Sequence, residues 1–136
     1  MRNKTDKYIF KVNANGGISM YHPSGYMVPD EEPILIFRAK DLGVLAAISS
    51  YMDMLCEQET SKTIKDHIIS MICVTESIMK YQSDRSIKSV TCSVEAHKST
   101  LSMLRSDVMN AIQNARDTLA DRYGMSNEEI DEAVKL

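Results

Sequence analysis

Apolar and polar residues alternate in the first part of the chain. The run KYIFKV at residues 7–12 is rich in β-forming residues, and ISMY follows after NANGG. Since NANGG supplies residues that accept a positive φ, this pattern predicts a β-hairpin. The sequence HPSG at residues 22–25 is a second turn, and the apolar run ILIFR at residues 34–38 is typical of a buried strand. We therefore predict a mostly antiparallel sheet of about three strands.

From Asp41 onward the apolar spacing becomes that of an α-helix. Leu45, Ile48, Met52 and Leu55 recur at steps of three and four, which predicts a helix that Asp41 can cap. Thr60 or Ser61 can cap a second helix that runs to about Tyr81 and has one apolar side. Both helices can then cover one face of the sheet.

The clearest amphipathic pattern lies in the last third of the chain. A long helix is predicted over about residues 97–123, and Gly124 follows as a stop residue. Ser126 and Glu129 form a capping-box pattern that opens a short last helix. The apolar stripe of the long helix is formed by Leu101, Leu104, Val108, Ile112, Ala115 and Leu119.

The predicted fold class is α+β, in two segments. Residues 1–86 hold the N-terminal antiparallel sheet of about three strands packed by two helices. Residues 87–136 begin with a short β-like run in which Val90, Cys92 and Val94 alternate with polar residues, and continue as the long and short helices. Because the long helix has no predicted partner of equal length, we expect the second segment to form a homo-oligomer.

Composition and charge narrow the functional classes. The net charge is −3 and Lys and Arg do not cluster, so direct binding to duplex nucleic acid is not expected. No apolar run is long enough for a membrane span, and the polar N-terminus does not resemble an export signal. Three cysteines without C-x-x-C spacing fit reduced thiols, so we expect a cytoplasmic protein without a metal.

No motif in the sequence points to catalysis. Cys56 and His67 are a conceivable nucleophile and base, but no third residue orients them. The sequence has no phosphate-binding P-loop and no GxGxxG motif. We therefore predict a protein that is not an enzyme and needs no cofactor.

One motif resembles a known family. Glu32-Pro33, the apolar residues 34–37, Arg38-Ala39-Lys40-Asp41 and later Tyr51, Cys56, Asp66, His67 and Tyr81-Gln82 stand in a fixed order. Over about residues 7–82 this order resembles small, mostly uncharacterised accessory proteins of tailed phages and prophages. Many of those relatives have Gly where Ala39 stands here.

The resemblance implies a protein that acts on a phage host by binding, in the host cytoplasm. One hypothesis is an anti-defence protein that sequesters a nucleotide-type immune signal. The alternative is an inhibitor that binds and blocks a host defence protein through its acidic surface and methionine-bearing helices. Sequestration requires cations and an aromatic face in one site, whereas inhibition requires a large complementary surface.

Arg38 and Lys40 are the best candidates for an anion site. Arg offers a planar fork to phosphate oxygens and Lys a point charge, and both precede a predicted helix N-terminus. If the strand continues through them, both side chains point to one side. Arg116 is a further candidate at a helix pair, and Tyr26 is a candidate for base stacking. The structural interpretation of the same residues is a strand end, a helix cap and a solvated helix face.

Overall fold

The computed structural model describes residues 8–34, 37–41, 43–84 and 94–135, with the side chains of residues 94–101 excepted. The fold is α+β, as predicted, with a small antiparallel sheet and four helices. The chain divides into two compact units, residues 1–36 and residues 37–135. We call them the hairpin unit and the helical unit.

The hairpin unit contains strands β1 (Ile9–Val12) and β2 (Ile18–Tyr21), which pair in antiparallel fashion. The N–H of Asn13 donates to the carbonyl of Gly17 at 2.7 Å, and Gly16 has a φ of 85°. This conformation is accessible to glycine at low cost because it has no Cβ. The predicted hairpin and its Asn-Gly turn are confirmed.

A third strand is not confirmed. The described residues of the run at 34–38 lie in irregular structure, and Ala39 and Lys40 form a turn. Ile34 and Phe37 are exposed, while residues 35 and 36 lie outside the described residues. A strand needs backbone partners on a neighbouring strand, and the described extension of the sheet is a single bridge between Tyr21 and Met27.

The helical unit contains α1 (Gly43–Cys56), α2 (Lys62–Asp84), α3 (Val94–Asp121) and α4 (Asn127–Val134). Each corresponds to a predicted helix with ends shifted by a few residues. The predicted β-like run at residues 87–94 falls mostly outside the described residues, and its last residue begins α3.

Polar side chains begin two of these helices as predicted. The hydroxyl of Ser61 accepts from the N–H of Ile64 at 3.1 Å, so Ser61 caps α2. Ser126 and Glu129 form the predicted capping box of α4, with each side chain accepting from the other's backbone N–H. Gly124, with a φ of 67°, stops α3 as expected.

The four helices share one hydrophobic core. In the described part of α3 the predicted apolar stripe is buried inside the chain from Val108 to Leu119, and Leu104 packs at its margin. The stripe that motivated helix pairing between two copies is thus covered by the chain's own helices. A homo-oligomer remains a prediction that needs another surface. The core consists of Val44, Leu45, Ile48, Met52, Leu55, Cys56, Ile68, Ile72, Val108, Ala111, Ile112, Ala115, Leu119, Ile130 and Val134.

Candidate functional site

A closed turn precedes α1. The N–H of Asp41 donates to the carbonyl of Arg38 at 2.9 Å, and the N–H of Arg38 donates to Oδ2 of Asp41, also at 2.9 Å. In place of the predicted N-cap contact, the Asp41 carboxylate therefore closes the turn, and α1 begins two residues later at Gly43. The two reciprocal hydrogen bonds hold residues 38–41 in one conformation. We call this segment the cationic turn, after Arg38 and Lys40.

Gln82, near the end of α2, holds the cationic turn in place through a hydrogen bond. Its Nε2 donates to the carbonyl of Ala39 at 2.8 Å, and only 1% of the residue is exposed. Its Oε1 is buried and has no hydrogen-bond partner among the residues that the structure describes. A buried side-chain amide normally satisfies both of its ends. The hydrogen bond to Ala39 therefore anchors the turn, whereas the Oε1 of Gln82 accepts no hydrogen bond from the described residues.

Both cations of the turn are available to an anion. The side chains of Arg38 and Lys40 are exposed, and neither makes an ion pair within the described residues. The first turn of α1, residues 43–46, contains no acidic residue. Because the N–H groups at a helix start favour negative charge, the helix terminus adds to the two cations. The predicted strand geometry does not apply here, since a turn, not a strand, carries Arg38 and Lys40.

Arg116 lies in a different part of the helical unit. Its Nη1 contacts Oδ1 of Asp131 on α4 at 2.7 Å, and 26% of its side chain is exposed. Two positions before it, Asn114 contacts Asp53 at 3.4 Å. Asp53 is ten residues along α1 from Gly43, about 15 Å at 1.5 Å per residue. Arg116 is therefore not brought to the cationic turn, and its charge is already paired.

Tyr26 belongs to the hairpin unit. It follows the HPSG turn, in which the N–H of Gly25 donates to the carbonyl of His22 at 2.9 Å. The residue is 60% exposed. The predicted pair Arg38 and Lys40 thus lies on a single turn of the helical unit. Arg116 lies at the contact of α3 with α4 in the same unit, and Tyr26 belongs to the hairpin unit.

Sequence reasoning missed the anchoring role of Gln82, although a pattern pointed to it. Gln82 stands four residues after Ile78 and seven after Thr75, in register with the buried side of α2. A polar residue at a core position of a helix must find an internal partner. Phe37, 43% exposed and next to Arg38 in sequence, also went unnoticed as an aromatic side chain beside the cations.

Arg122 has a structural role at the other end of α1. Its guanidinium donates to the carbonyls of Cys56 and Gln58 and, at 3.0 Å, to the hydroxyl of Thr60. The N–H of Ser61 donates to the Tyr123 hydroxyl at 3.4 Å. These contacts attach the loop between α1 and α2 to the end of α3.

Arg122→Ala is expected to lower the free energy of unfolding by about 1–2 kcal/mol, because it removes charge-assisted hydrogen bonds to three oxygens. Urea denaturation measures the loss, and hydrogen exchange should show faster opening at residues 57–61. Arg105→Ala, on the same helix, is the control and should change stability little. Equal effects of the two substitutions would contradict the role given to Arg122.

The described residues offer little for covalent or metal chemistry. Burial raises the pKa of the Cys56 thiol, so it stays protonated at neutral pH and is a poor nucleophile. No group of three or more His, Cys, Asp or Glu side chains in the described ranges could hold a metal ion. Nor does any helix in that part of the chain have the length and apolar character to cross a membrane.

The chain was compared with known proteins. No protein-family model, curated protein or solved structure matches it. The geometry of the cationic turn is therefore the basis on which a function is proposed.

Proposed function

We propose that this protein acts without catalysis, as a phage accessory protein that sequesters a nucleotide-type immune signal of the host at the cationic turn. The observation that carries the proposal is the presence of two exposed cations, without an ion pair among the described residues, on a turn that Asp41 and Gln82 hold in place at the start of α1. A site fixed before binding loses less conformational entropy when the ligand arrives.

The chemistry of the turn suits a phosphate. The Arg38 fork can donate two hydrogen bonds to phosphate oxygens, and Lys40 contributes a mobile positive charge. The exposed ring of Phe37 offers an apolar face to a base, in the role first considered for Tyr26. A nucleotide matches all three groups, whereas inorganic phosphate matches only the cations.

The phage context rests on the resemblance of the motif. Two of its separated parts, residues 38–41 and Gln82, are in direct contact through the Ala39 carbonyl. Parts of the motif that are far apart in sequence therefore act together in the folded chain. This contact supports the view that the motif maintains the cationic turn.

The double variant Arg38→Ala/Lys40→Ala is expected to weaken nucleotide binding at least about tenfold, since tenfold corresponds to only 1.4 kcal/mol and two charge-assisted contacts are lost. Isothermal titration calorimetry of the full chain against mononucleotides, cyclic dinucleotides and inorganic phosphate measures the change. Lys65→Ala is the matched control, because Lys65 lies 17 residues before Gln82 on α2, about 25 Å away.

The salt dependence provides a second readout of the same experiment. Binding by exposed cations weakens as ionic strength rises, and the double variant should lose most of that dependence. Nucleotide binding that is the same in the native protein, the double variant and the Lys65→Ala control would place the site elsewhere.

A second candidate function, inhibition of a host protein, is favoured by the hairpin unit. One face of the hairpin carries the cross-strand pairs Phe10 with Met20 and Val12 with Ile18. Val12 is 78% exposed and Ile18 is 66% exposed. Exposed apolar patches often mark sites of protein contact. Native mass spectrometry of protein purified from a defended host distinguishes the candidates: a released small molecule supports sequestration, and a bound host polypeptide supports inhibition.

A further inference from the structure

The hairpin turn contains a reactive dipeptide. The sequence has six asparagines, at positions 3, 13, 15, 110, 114 and 127, and Asn15 alone is followed by glycine. Succinimide formation requires the backbone nitrogen of the next residue to reach the asparagine side-chain carbonyl carbon. Glycine at that next position has no Cβ to obstruct the approach.

The structure holds the Asn15 amide in place within this turn. Asn15 is exposed, and its Oδ1 accepts a hydrogen bond from the N–H of Gly17 at 3.0 Å. A donor on this oxygen draws electron density from the carbonyl carbon and stabilises the negative charge that develops there during attack.

We propose that Asn15 is a deamidation site in the folded protein. The Gly16 nitrogen loses its proton and bonds to the Asn15 side-chain carbon, and the bond from that carbon to the amide nitrogen breaks. Ammonia leaves and a five-membered succinimide forms. Water then opens either carbonyl of the ring, which gives aspartate or isoaspartate. The net reaction consumes one water and releases one ammonia, with no oxidant or cofactor.

The reaction changes the hairpin unit in two ways. It adds one negative charge, which takes the net charge from −3 to −3 − 1 = −4. The isoaspartate product also lengthens the backbone by one carbon inside the turn. The bond from the Asn13 N–H to the Gly17 carbonyl at 2.7 Å and the neighbouring pair Val12 with Ile18 depend on the present turn length. Conversion therefore loosens the apolar hairpin face.

One contact opposes the reaction. The Gly16 N–H donates to the carbonyl of Asn13 at 3.0 Å, and this hydrogen bond must break before the nitrogen can attack. Exposed turns open at low cost in free energy compared with core elements. We therefore expect the native protein to react at Asn15 first, at a rate below that of the unfolded chain.

Incubation of the native full-length protein at mildly alkaline pH, followed by peptide mapping, tests the proposal. We expect Asn15 to convert at least about tenfold faster than any other asparagine, a barrier difference of only 1.36 kcal/mol. Ion exchange should show an acidic form that the Asn15→Gln variant lacks. Gly16→Ala should also slow conversion, and circular dichroism confirms that each variant is folded.

Two outcomes would overturn the inference. In the first, Asn110 or Asn114 on α3 converts as fast as Asn15. In the second, Asn15 converts in urea but stays intact in the native protein, which would mean that the turn protects it. Either result concerns the hairpin turn alone and leaves ligand binding at the cationic turn unaffected.

Discussion

Gln82→Glu is expected to destabilise the helical unit by about 3 kcal/mol or more at neutral pH, the cost of an uncompensated buried charge. The carboxylate would replace an amide whose Nε2 donates to the Ala39 carbonyl. Two acceptors would then face each other in a site that is 1% exposed. Urea denaturation at neutral pH measures the loss of stability.

The pH dependence of the Gln82→Glu variant identifies the cause. Burial raises the pKa of such a carboxyl above its unfolded value of about 4.3. Above the folded pKa, burial of the ionised form destabilises the variant. As pH falls through the folded pKa the group takes up a proton, and the difference from the native protein shrinks. A deficit that stays constant between neutral pH and about pH 4.3 would contradict this account.

Gln82→Leu is the matched control. It removes the hydrogen bond to the Ala39 carbonyl, worth about 1 kcal/mol. It also removes Oε1, which has no partner in the described part of the chain and whose burial then costs about 1–3 kcal/mol. Because these two changes oppose each other, its stability should stay close to native. The cationic turn would lose its anchor, however, so Gln82→Leu should bind nucleotide more weakly without unfolding.

Leu119→Ala is expected to lower the free energy of unfolding by about 3 kcal/mol, within the 2–5 kcal/mol typical of buried leucine truncations. Leu119 is fully buried in the core shared by the four helices. The loss combines the transfer energy of the deleted atoms with the cavity they leave. Chemical denaturation should show a lower midpoint with an unchanged m-value.

Met109→Ala provides the comparison on the same helix. Met109 is 55% exposed, so its truncation should change stability by less than about 0.5 kcal/mol. If both substitutions had similar effects, the described side of α3 would not be the buried one. Comparison of Leu119→Ala with Met109→Ala therefore tests which side of α3 faces the core. It also measures how much the packing of α3 contributes to stability.

The helices were predictable because their information is local. Apolar residues at steps of three and four place α1 to α3, and the capping box of Ser126 and Glu129 places α4. Ser61 and Gly124 mark the start of α2 and the end of α3 to within a few residues. The hairpin was equally accessible, since its turn residues lie between its strands. These patterns reflect interactions between near neighbours, which sequence spacing records directly.

The third strand and the role of Asp41 were not predictable in the same way. An apolar run such as ILIFR forms a strand only if a neighbouring strand pairs with it, and spacing does not reveal that partner. Asp41 has two local choices, the N–H groups of the helix ahead or that of Arg38 behind. Both lie within three residues, so the sequence does not decide between them.

The sequence predicted the two cations of the candidate site but not the tertiary contacts that position or neutralise its residues. Arg38 and Lys40 attracted attention through their charge next to a helix start. Gln82 lies 43 positions from Ala39, and Asp131 lies 15 positions from Arg116 on another helix. Contacts of this kind arise from tertiary packing, and only the folded chain shows that one anchors the turn while the other neutralises a predicted ligand residue.

The shared core of the helical unit also bears on the synthesis of the chain. Helices α1 and α2 leave the ribosome before α3 does. Their apolar faces stay uncovered until Leu119 and its neighbours on α3 have been added. The 35 residues after Asp84, up to and including Leu119, take about 2–7 s to add at 5–20 residues per second. During that interval the nascent helices expose the apolar surface that α3 later covers.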